Sequence, residues 1–198
     1  MLYIRYLKRI MDIILSVVGL IILAPFFLII AIIIKLDSKG PAIYVHNRVG
    51  KNKKPIRLYK FRTMFVERIP FTAEQEKEFE QKFKLKKDPR VTPIGRLLRE
   101  TSIDEFPQLL NVLLGDLSIV GPRPITEKEL EKYGVNWTKL VSVTPGLTGY
   151  WVVNGRSNTS YEKRVELELY YVENISFKLD VKIFLKTFKC VFKKEGAF

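Results

Sequence analysis

The dominant feature of the hydropathy pattern is an uncharged run, residues 13–34, made mostly of Ile, Leu, Val and Phe. As a helix it would extend about 33 Å at 1.5 Å per residue, enough to cross a bilayer. After a turn-rich exit, Asp37-Ser38-Lys39-Gly40-Pro41, the pattern changes. Ala42-Ile43-Tyr44-Val45 and Ile56-Arg57-Leu58-Tyr59-Lys60-Phe61-Arg62 are short β-prone runs around a polar loop, which predicts a hairpin. Lys60 and Arg62 alternate with Tyr59 and Phe61, so a period of two predicts one basic face and one apolar face.

Residues 72–87 place Glu74, Glu76, Glu78 and Glu80 ahead of Lys82, Lys84, Lys86 and Lys87, the order the helix dipole favours on an exposed helix. A further helix opens at Thr92, as N-cap, with Pro93 at its first position and Arg96 and Arg99 one turn apart. Leu109-Leu110-Asn111-Val112-Leu113-Leu114 reads as a helix ended by Gly115, and Leu117-Ser118-Ile119-Val120 as a short buried strand. Tyr161, Arg164, Glu168 and Tyr171 share one face of a helix over 160–173. Near the end, Lys178, Lys182, Lys186, Lys189 and Lys193 recur opposite Val181, Phe184, Leu185, Phe188, Val191 and Phe192. Such a helix suits a membrane interface, or covers a core with its lysines in water.

Charges around the apolar run bear on its topology. Arg5, Lys8 and Arg9 precede it, and Lys35, Lys39, Arg48, Lys51, Lys53 and Lys54 follow, so both ends look cytoplasmic under the positive-inside rule. Pro25, near the middle, removes a helical hydrogen bond. A bent helix that dips into one leaflet and returns reconciles these facts; a plain single-pass helix with a tolerated proline is the alternative. A signal peptide fits less well, because the run is too long and lacks a small-residue cleavage pattern. Asp12 is placed to cap the helix or pair with Arg9.

The formal net charge of +13 calls for an anionic partner: a phosphorylated substrate, an anionic lipid surface or nucleic acid. One cysteine and one histidine leave no basis for a disulfide, a Cys-rich zinc site or a Ser-His-Asp triad. Carboxylates and arginines must therefore carry any chemistry.

They gather at Thr101-Ser102-Ile103-Asp104-Glu105-Phe106-Pro107-Gln108. With Ser102 as N-cap, Glu105 closes a capping box but Pro107 interrupts the second turn. With Asp104 as N-cap, Pro107 falls harmlessly in the first turn, and Asp104 sits at the positive end of a helix dipole, where phosphate binds readily. This register is preferred, although an acidic cap without chemistry has the same spacing. Downstream, Pro122 and Pro124 restrict the backbone around Arg123 and so limit where its guanidinium can reach, as a phosphate clamp requires. A second segment, residues 143–156, supplies Gly155 and other glycines whose N–H groups could approach a ligand, Tyr150 or Trp151 to stack a base, and Arg156.

In order along the chain, Lys60-Phe61-Arg62-Thr63-Met64, Ser102-Ile103-Asp104-Glu105, Gly115-Asp116-Leu117-Ser118-Ile119-Val120-Gly121-Pro122-Arg123-Pro124, Pro145-Gly146-Leu147-Thr148-Gly149 and Val153-Asn154-Gly155-Arg156 resemble the bacterial sugar transferases, the small monotopic phosphoglycosyl transferases. The resemblance covers nearly the whole chain. It implies a mixed α/β, mostly helical fold: a re-entrant membrane helix over 1–39, and a small cytoplasmic catalytic domain over 40–198 with a short β-hairpin and interfacial amphipathic helices.

The implied activity is transfer of a sugar-1-phosphate from a UDP-sugar to polyprenol phosphate, releasing UMP, at the cytoplasmic face of the bacterial inner membrane. Glycosyltransferases would act on the product, and nucleic acid is not an expected partner. An Asp-Glu dyad is catalytic in the family and maps onto Asp104 and Glu105. On this basis Asp104 is the expected nucleophile, Glu105 an Mg²⁺ ligand, and Lys60, Arg62, Arg123 and Arg156 the phosphate-binding cations, with Pro122, Pro124 and Gly155 shaping the substrate site. The chain departs from the family pattern at Ala24, where serine is usual before the proline, and at His46, Leu114, Val152 and Glu168. A membrane-anchored basic module that binds anionic lipid or nucleic acid without catalysis is the competing reading; it gives the paired carboxylates no role.

Overall fold

The fold was obtained as a computed structural model, which describes residues 3–192 other than 68, 83, 84, 86, 87, 157 and 158. It is mostly helical, with two small sheets of two strands each. After a π-helical turn, Tyr3–Leu7, the apolar run forms one helix, α1 (Lys8–Asp37), with Pro25 inside it. Leu15, Leu20 and Leu23 pack against the main core, and Phe27, Ile30 and Ile34 belong to a smaller one. From Leu20 to Ile34 the three- and four-residue spacing puts them on one helix face. The rest of the surface, including Ile21, Ile22, Phe26, Leu28 and Ile29, is exposed, and by length and composition α1 could cross a membrane.

Both ends of α1 are tied to the rest of the protein. Lys8 Nζ donates to Asp180 at 2.5 Å and to the carbonyl of Val120 at 2.8 Å, while Arg9 donates to the carbonyls of Val112 and Leu113. Asp12 neither caps the helix nor pairs with Arg9: it is buried and accepts from the Ser118 hydroxyl and the Ile119 N–H. A buried carboxylate needs donors, and the strand beside it supplies them. At the far end, Arg62 donates to the carbonyls of Ile34, Ser38 and Pro41 and to the Ser38 hydroxyl. The guanidinium thereby ties the last turn of α1, whose Ile34 carbonyl also accepts the Ser38 N–H, to the turn that leaves it.

The predicted hairpin is present as β1 (Ile43–Val49) and β2 (Pro55–Phe61), antiparallel and joined through a 3₁₀ turn, Lys51–Lys53. β1 runs on past Val45, because His46, Asn47 and Arg48 keep pairing with Leu58, Arg57 and Ile56. The expected split into a basic and an apolar face does not hold. Leu58 and Phe61 are buried on opposite faces, and Arg62, beyond the strand, turns inward to α1.

α2 (Ala73–Lys82) is the acidic part of the expected charged helix; Lys84, Lys86 and Lys87 lie outside the described residues. α3 (Pro93–Glu100) starts as anticipated, with the Thr92 hydroxyl accepting from the Gly95 N–H at 2.9 Å. A 3₁₀ stretch, Ile103–Gln108, then leads into α4 (Leu109–Leu114), which Gly115 ends at a φ of 92°. From α4, the fully buried Asn111 accepts from the Tyr59 N–H and donates to the Arg57 carbonyl, standing in for a neighbouring strand at the edge of β2. The acidic segment is thereby fixed against the hairpin.

β3 (Ser118–Val120) pairs in parallel with β4 (Gly146–Thr148), in the segment read from sequence only as glycine-rich. A Cβ on Gly146 would come within 2.1 Å of the Gly121 nitrogen, so the pairing requires glycine there. Between them, α5 (Glu127–Leu130), a 3₁₀ stretch and α6 (Trp137–Leu140) bury Leu130, Tyr133, Leu140 and Val141 with Val49 and Ile125. Four-residue helices are too short to show a periodicity, and the sequence assigned none here. α7 (Tyr161–Glu173) forms where expected, and of the four residues that share its face it buries Arg164, Glu168 and Tyr171. α8 (Phe177–Phe192) turns Asp180 and Ile183 inward and leaves Leu185 and Phe188 exposed beside its lysines; Lys193 lies outside the described residues.

Candidate active site

The hairpin, the 3₁₀ stretch and the turn after β3 meet around a cavity of about 1240 Å³. Asp104 and Glu105 line it together with Lys60, Arg62, Arg123 and Arg156, so six of the site residues expected from sequence converge there. Neither capping register is adopted. Ser102 stands before the 3₁₀ stretch in a left-handed conformation, φ 57°, and makes no side-chain capping bond; Asp104 lies inside the stretch. The cause is Pro107, which has no N–H to return to residue 103, so an α-helical turn cannot close across the dyad. Both carboxylates are left free of capping and available to the cavity.

Lys60 Nζ donates to Glu105 Oε1 at 2.6 Å, whereas Asp104 is buried, with 8 % of its surface exposed. Burial pushes the Asp104 carboxyl above its usual range and the charge on Glu105 adds to this, against the pull of Lys60 and Arg99. Burial also opposes ionisation of Glu105, but Lys60, Arg123 and Arg156 outweigh it and hold that carboxyl well below the usual range. Two adjacent acids are thus driven apart: Glu105 is a fixed anion, and Asp104 is an anion that its surroundings stabilise poorly. An anion of this kind is reactive toward an electrophile that relieves its charge.

The expected cations separate into two groups. Arg123 sits between Pro122 and Pro124, and its N–H, the one amide donor of that tripeptide, is held by both oxygens of the buried Glu168 at 3.1 and 3.2 Å. Its guanidinium lies 5.7 Å from the centre of the Trp151 ring. Arg156, at φ 49°, donates to the Ser102 hydroxyl at 2.9 Å and so closes on the turn that carries the dyad. Arg62 also borders the cavity, and its Nε, Nη1 and Nη2 donate to Pro41, Ser38 and Ile34 at the end of α1 and in the turn after it. Pro122, Pro124 and Gly155 do not line this cavity; the prolines frame Arg123, and Gly155, at φ 134°, makes the turn that delivers Arg156. Trp151 is not free to stack a base: Arg164 lies 4.8 Å from its centre on top of Arg123, and its indole N–H is bonded to Thr159. Tyr150 packs on Tyr170 instead.

Arg99, His46 and Arg48 are among the cavity residues that were not assigned a role from sequence. Arg99 Nε donates to the Thr63 hydroxyl at 2.8 Å and its charge acts on Asp104. His46 and Arg48 line the wall from β1, and the even spacing that puts them on the face of Tyr44, opposite Lys60, was the signal available. Burial and the neighbouring Arg48 and Lys60 push His46 down to about 4, so the ring is neutral.

The cavity thus sets the adjacent acids Asp104 and Glu105 beside Lys60, Arg123 and Arg156, in a protein whose longest helix is apolar and long enough to cross a membrane. Comparison with known proteins gives the family. Residues 3–194 match the family described as bacterial sugar transferase, and the chain belongs to that family. It is 43 % identical over 201 residues to the undecaprenyl-phosphate galactose phosphotransferase of Salmonella typhimurium, covering 98 % of this chain and 42 % of that protein. It is 42 % identical over 194 residues to the UDP-glucose:undecaprenyl-phosphate glucose-1-phosphate transferase of Escherichia coli, covering 93 % of this chain and 40 % of that one. With the exopolysaccharide production protein ExoY of Sinorhizobium fredii the identity is 39 % over 201 residues, 96 % of this chain and 88 % of ExoY. The chain therefore spans about two fifths of the length of the first two relatives and most of the third.

Proposed function

We propose that this chain transfers a sugar-1-phosphate from a UDP-sugar to undecaprenyl phosphate, or a similar polyprenol phosphate, with release of UMP. The observation that carries the reading is the buried Asp104, raised by burial and by Glu105, at the wall of a cavity that Lys60, Arg123 and Arg156 make strongly cationic. Similarity to a galactose phosphotransferase and a glucose-1-phosphate transferase, both named for undecaprenyl phosphate, supports the two substrates.

In this scheme a carboxylate oxygen of Asp104 attacks the phosphorus that bears the sugar. The bond from that phosphorus to the oxygen of UMP breaks, UMP leaves, and an aspartyl phospho-sugar remains. A phosphate oxygen of the polyprenol phosphate then attacks the same phosphorus, the bond to Asp104 breaks, and the carboxylate is restored. The attacking group is anionic in both steps, so no general base is required. Lys60, Arg123 and Arg156 hold phosphate oxygens, since positioning and electrostatics account for most phosphoryl-transfer catalysis. The donor set suits Mg²⁺ shared with substrate: among the described residues there is no cluster of three acidic, His or Cys ligands, and Mg²⁺ is commonly held by one or two carboxylates and phosphate oxygens. Glu105, whose second oxygen is not engaged by Lys60, is the residue that would hold it. When bound, the ion offsets diphosphate charge.

For the membrane arrangement we favour a re-entrant segment, residues 1–39, that dips into the inner membrane from the cytoplasmic side, with 40–198 as the catalytic domain on that surface. Lys8 and Arg9 at one end and Ser38 at the other bond to the same body, which supports entry and exit on one side. Exposed Leu185 and Phe188 beside the α8 lysines suit an anionic lipid interface. Glycosyltransferases would extend the lipid-linked product in polysaccharide or glycoconjugate assembly.

The deciding experiment mixes the purified protein with a UDP-sugar and Mg²⁺ and measures UMP release and protein mass. Asp104→Asn should remain folded, release no UMP and form no adduct. Turnover near wild type in that variant sinks the covalent scheme.

A further inference from the structure

The cavity wall contributed by β1 differs in character from the rest. His46 lines the cavity from β1, on the same strand face as Arg48, and its ring is held in place by a chain of contacts that starts in the second core. The Thr126 N–H and hydroxyl both donate to Glu129 Oε2, at 2.8 and 3.0 Å. Arg164 Nη1 reaches the other oxygen of Glu129 at 3.3 Å. Glu129 so fixed accepts from Arg48 Nη1 at 3.0 Å, and Arg48 Nη2 lies 3.4 Å from His46 Nδ1.

A guanidinium has donors only, so in this pair Nδ1 of His46 must be the acceptor. The ring is neutral, as Arg48, Lys60 and its burial dictate, and its one proton therefore resides on Nε2. That N–H has no partner among the described residues. A neutral donor adds little to a phosphate already facing Lys60, Arg123 and Arg156, and suits an uncharged oxygen. In a nucleoside diphosphate sugar, the uncharged oxygens next to the reacting phosphorus belong to the sugar. Lys60 holds Glu105 of the dyad, and His46 is on the paired strand two residues beyond Tyr44, the residue opposite Lys60.

We propose that His46 reads the sugar: its Nε2–H donates to a hydroxyl or acetamido oxygen of the UDP-sugar, from an orientation set by Arg48 and Glu129. The inference rests on the transferase reading and adds to it the residue that selects among donors. Glu129 is a positioning residue here, touching no substrate.

The chain has a single histidine, so imidazole ¹⁵N signals report this ring alone. In the full chain carrying Asp104→Asn, which prevents turnover, UDP-galactose or UDP-glucose should shift the His46 Nε2 signal while UDP leaves it in place. In the otherwise wild-type chain, His46→Leu should raise KM for the preferred UDP-sugar roughly three- to tenfold with kcat little changed, and leave inhibition by UDP as before. His46→Gln, which keeps a neutral donor, should restore part of the loss, and the ratio of kcat/KM between UDP-galactose and UDP-glucose should move in both variants. Equal shifts with UDP and UDP-sugar, or KM and UDP inhibition weakening together, would overturn the assignment to the sugar. An unmoved signal and unchanged specificity ratio would overturn any contact. A wild-type protein that releases no UMP from any UDP-sugar would instead bring down the transferase reading, and this inference with it.

Discussion

Glu168→Gln is the substitution whose outcome the structure sets most sharply. Glu168 is fully buried on α7, with 1 % of its surface exposed, and accepts the Arg123 N–H with both oxygens. Burial raises its pKa from 4.5 to about 7, even though the Arg123 N–H and the charges of Arg164 and Arg123 favour the anion. Because the folded value lies above the unfolded one, the folded protein holds this proton more tightly. The contribution of Glu168 to stability is thus complete below about pH 4.5 and is lost as pH rises through about 7. The span from 4.5 to about 7, at about 1.36 kcal/mol per pH unit, amounts to ~3 kcal/mol. Glutamine stands in for the protonated acid, and its amide oxygen can still accept from Arg123. The variant should match wild type near pH 5 and exceed it by up to ~3 kcal/mol at pH 8.5, or about 6–12 °C in Tm for a protein of this size. Thermal unfolding in detergent, followed by tryptophan fluorescence at both pH values, measures the difference. If Glu168→Gln is destabilised as much at pH 8.5 as at pH 5, the ionised carboxylate is supporting the fold and the burial argument is wrong.

Other substitutions separate chemistry from scaffolding. Asp104 must be ionised to attack, and its pKa is raised, so UMP release should fall on acidification at a pH above the ordinary carboxylate range. Glu105→Gln removes the neighbouring charge that helps raise it, so the acid limb of the residual activity should move to lower pH; a limb that stays put would show that Glu105 does not tune Asp104. Arg62→Ala should cost about 3 kcal/mol of stability by removing the charged donors to Ser38 and Pro41 in the turn after α1, with KM for the UDP-sugar near wild type. A large rise in KM in a protein of normal stability would return Arg62 to the phosphate site. Accessibility labelling before Lys8 and after Lys39 in intact cells should find both positions inside, and one outside would make α1 a simple crossing.

The family motifs and the hydropathy pattern were local signals, and local signals are what a sequence carries well. The apolar helix, the Thr92 cap, the Gly115 stop and the helix that puts Arg164, Glu168 and Tyr171 on one face follow from spacing and residue type, and the structure contains each of them. The dyad and its partners Lys60, Arg123 and Arg156 were also legible, because family motifs mark the positions one by one. What could not be read was how a charged group would be used once the chain closed. Arg62 lies two residues after Lys60, just past β2, and nothing in the sequence separates their roles, yet the 3₁₀ stretch packed on β2 brings one to Glu105 and the end of α1 claims the other.

Capping follows the same rule. Spacing allowed Ser102 or Asp104 to cap, and the 3₁₀ turn around Pro107 left both without that role. Trp151, open to a base by sequence, is covered by Arg123 and Arg164, which lie 28 positions before it and 13 after. The sequence by itself determined which elements form and which residue types reach the site. Tertiary structure decided which cation meets the dyad, which caps a helix, and which carboxylate is held ionised, because burial and partner distance depend on segments far apart in the chain.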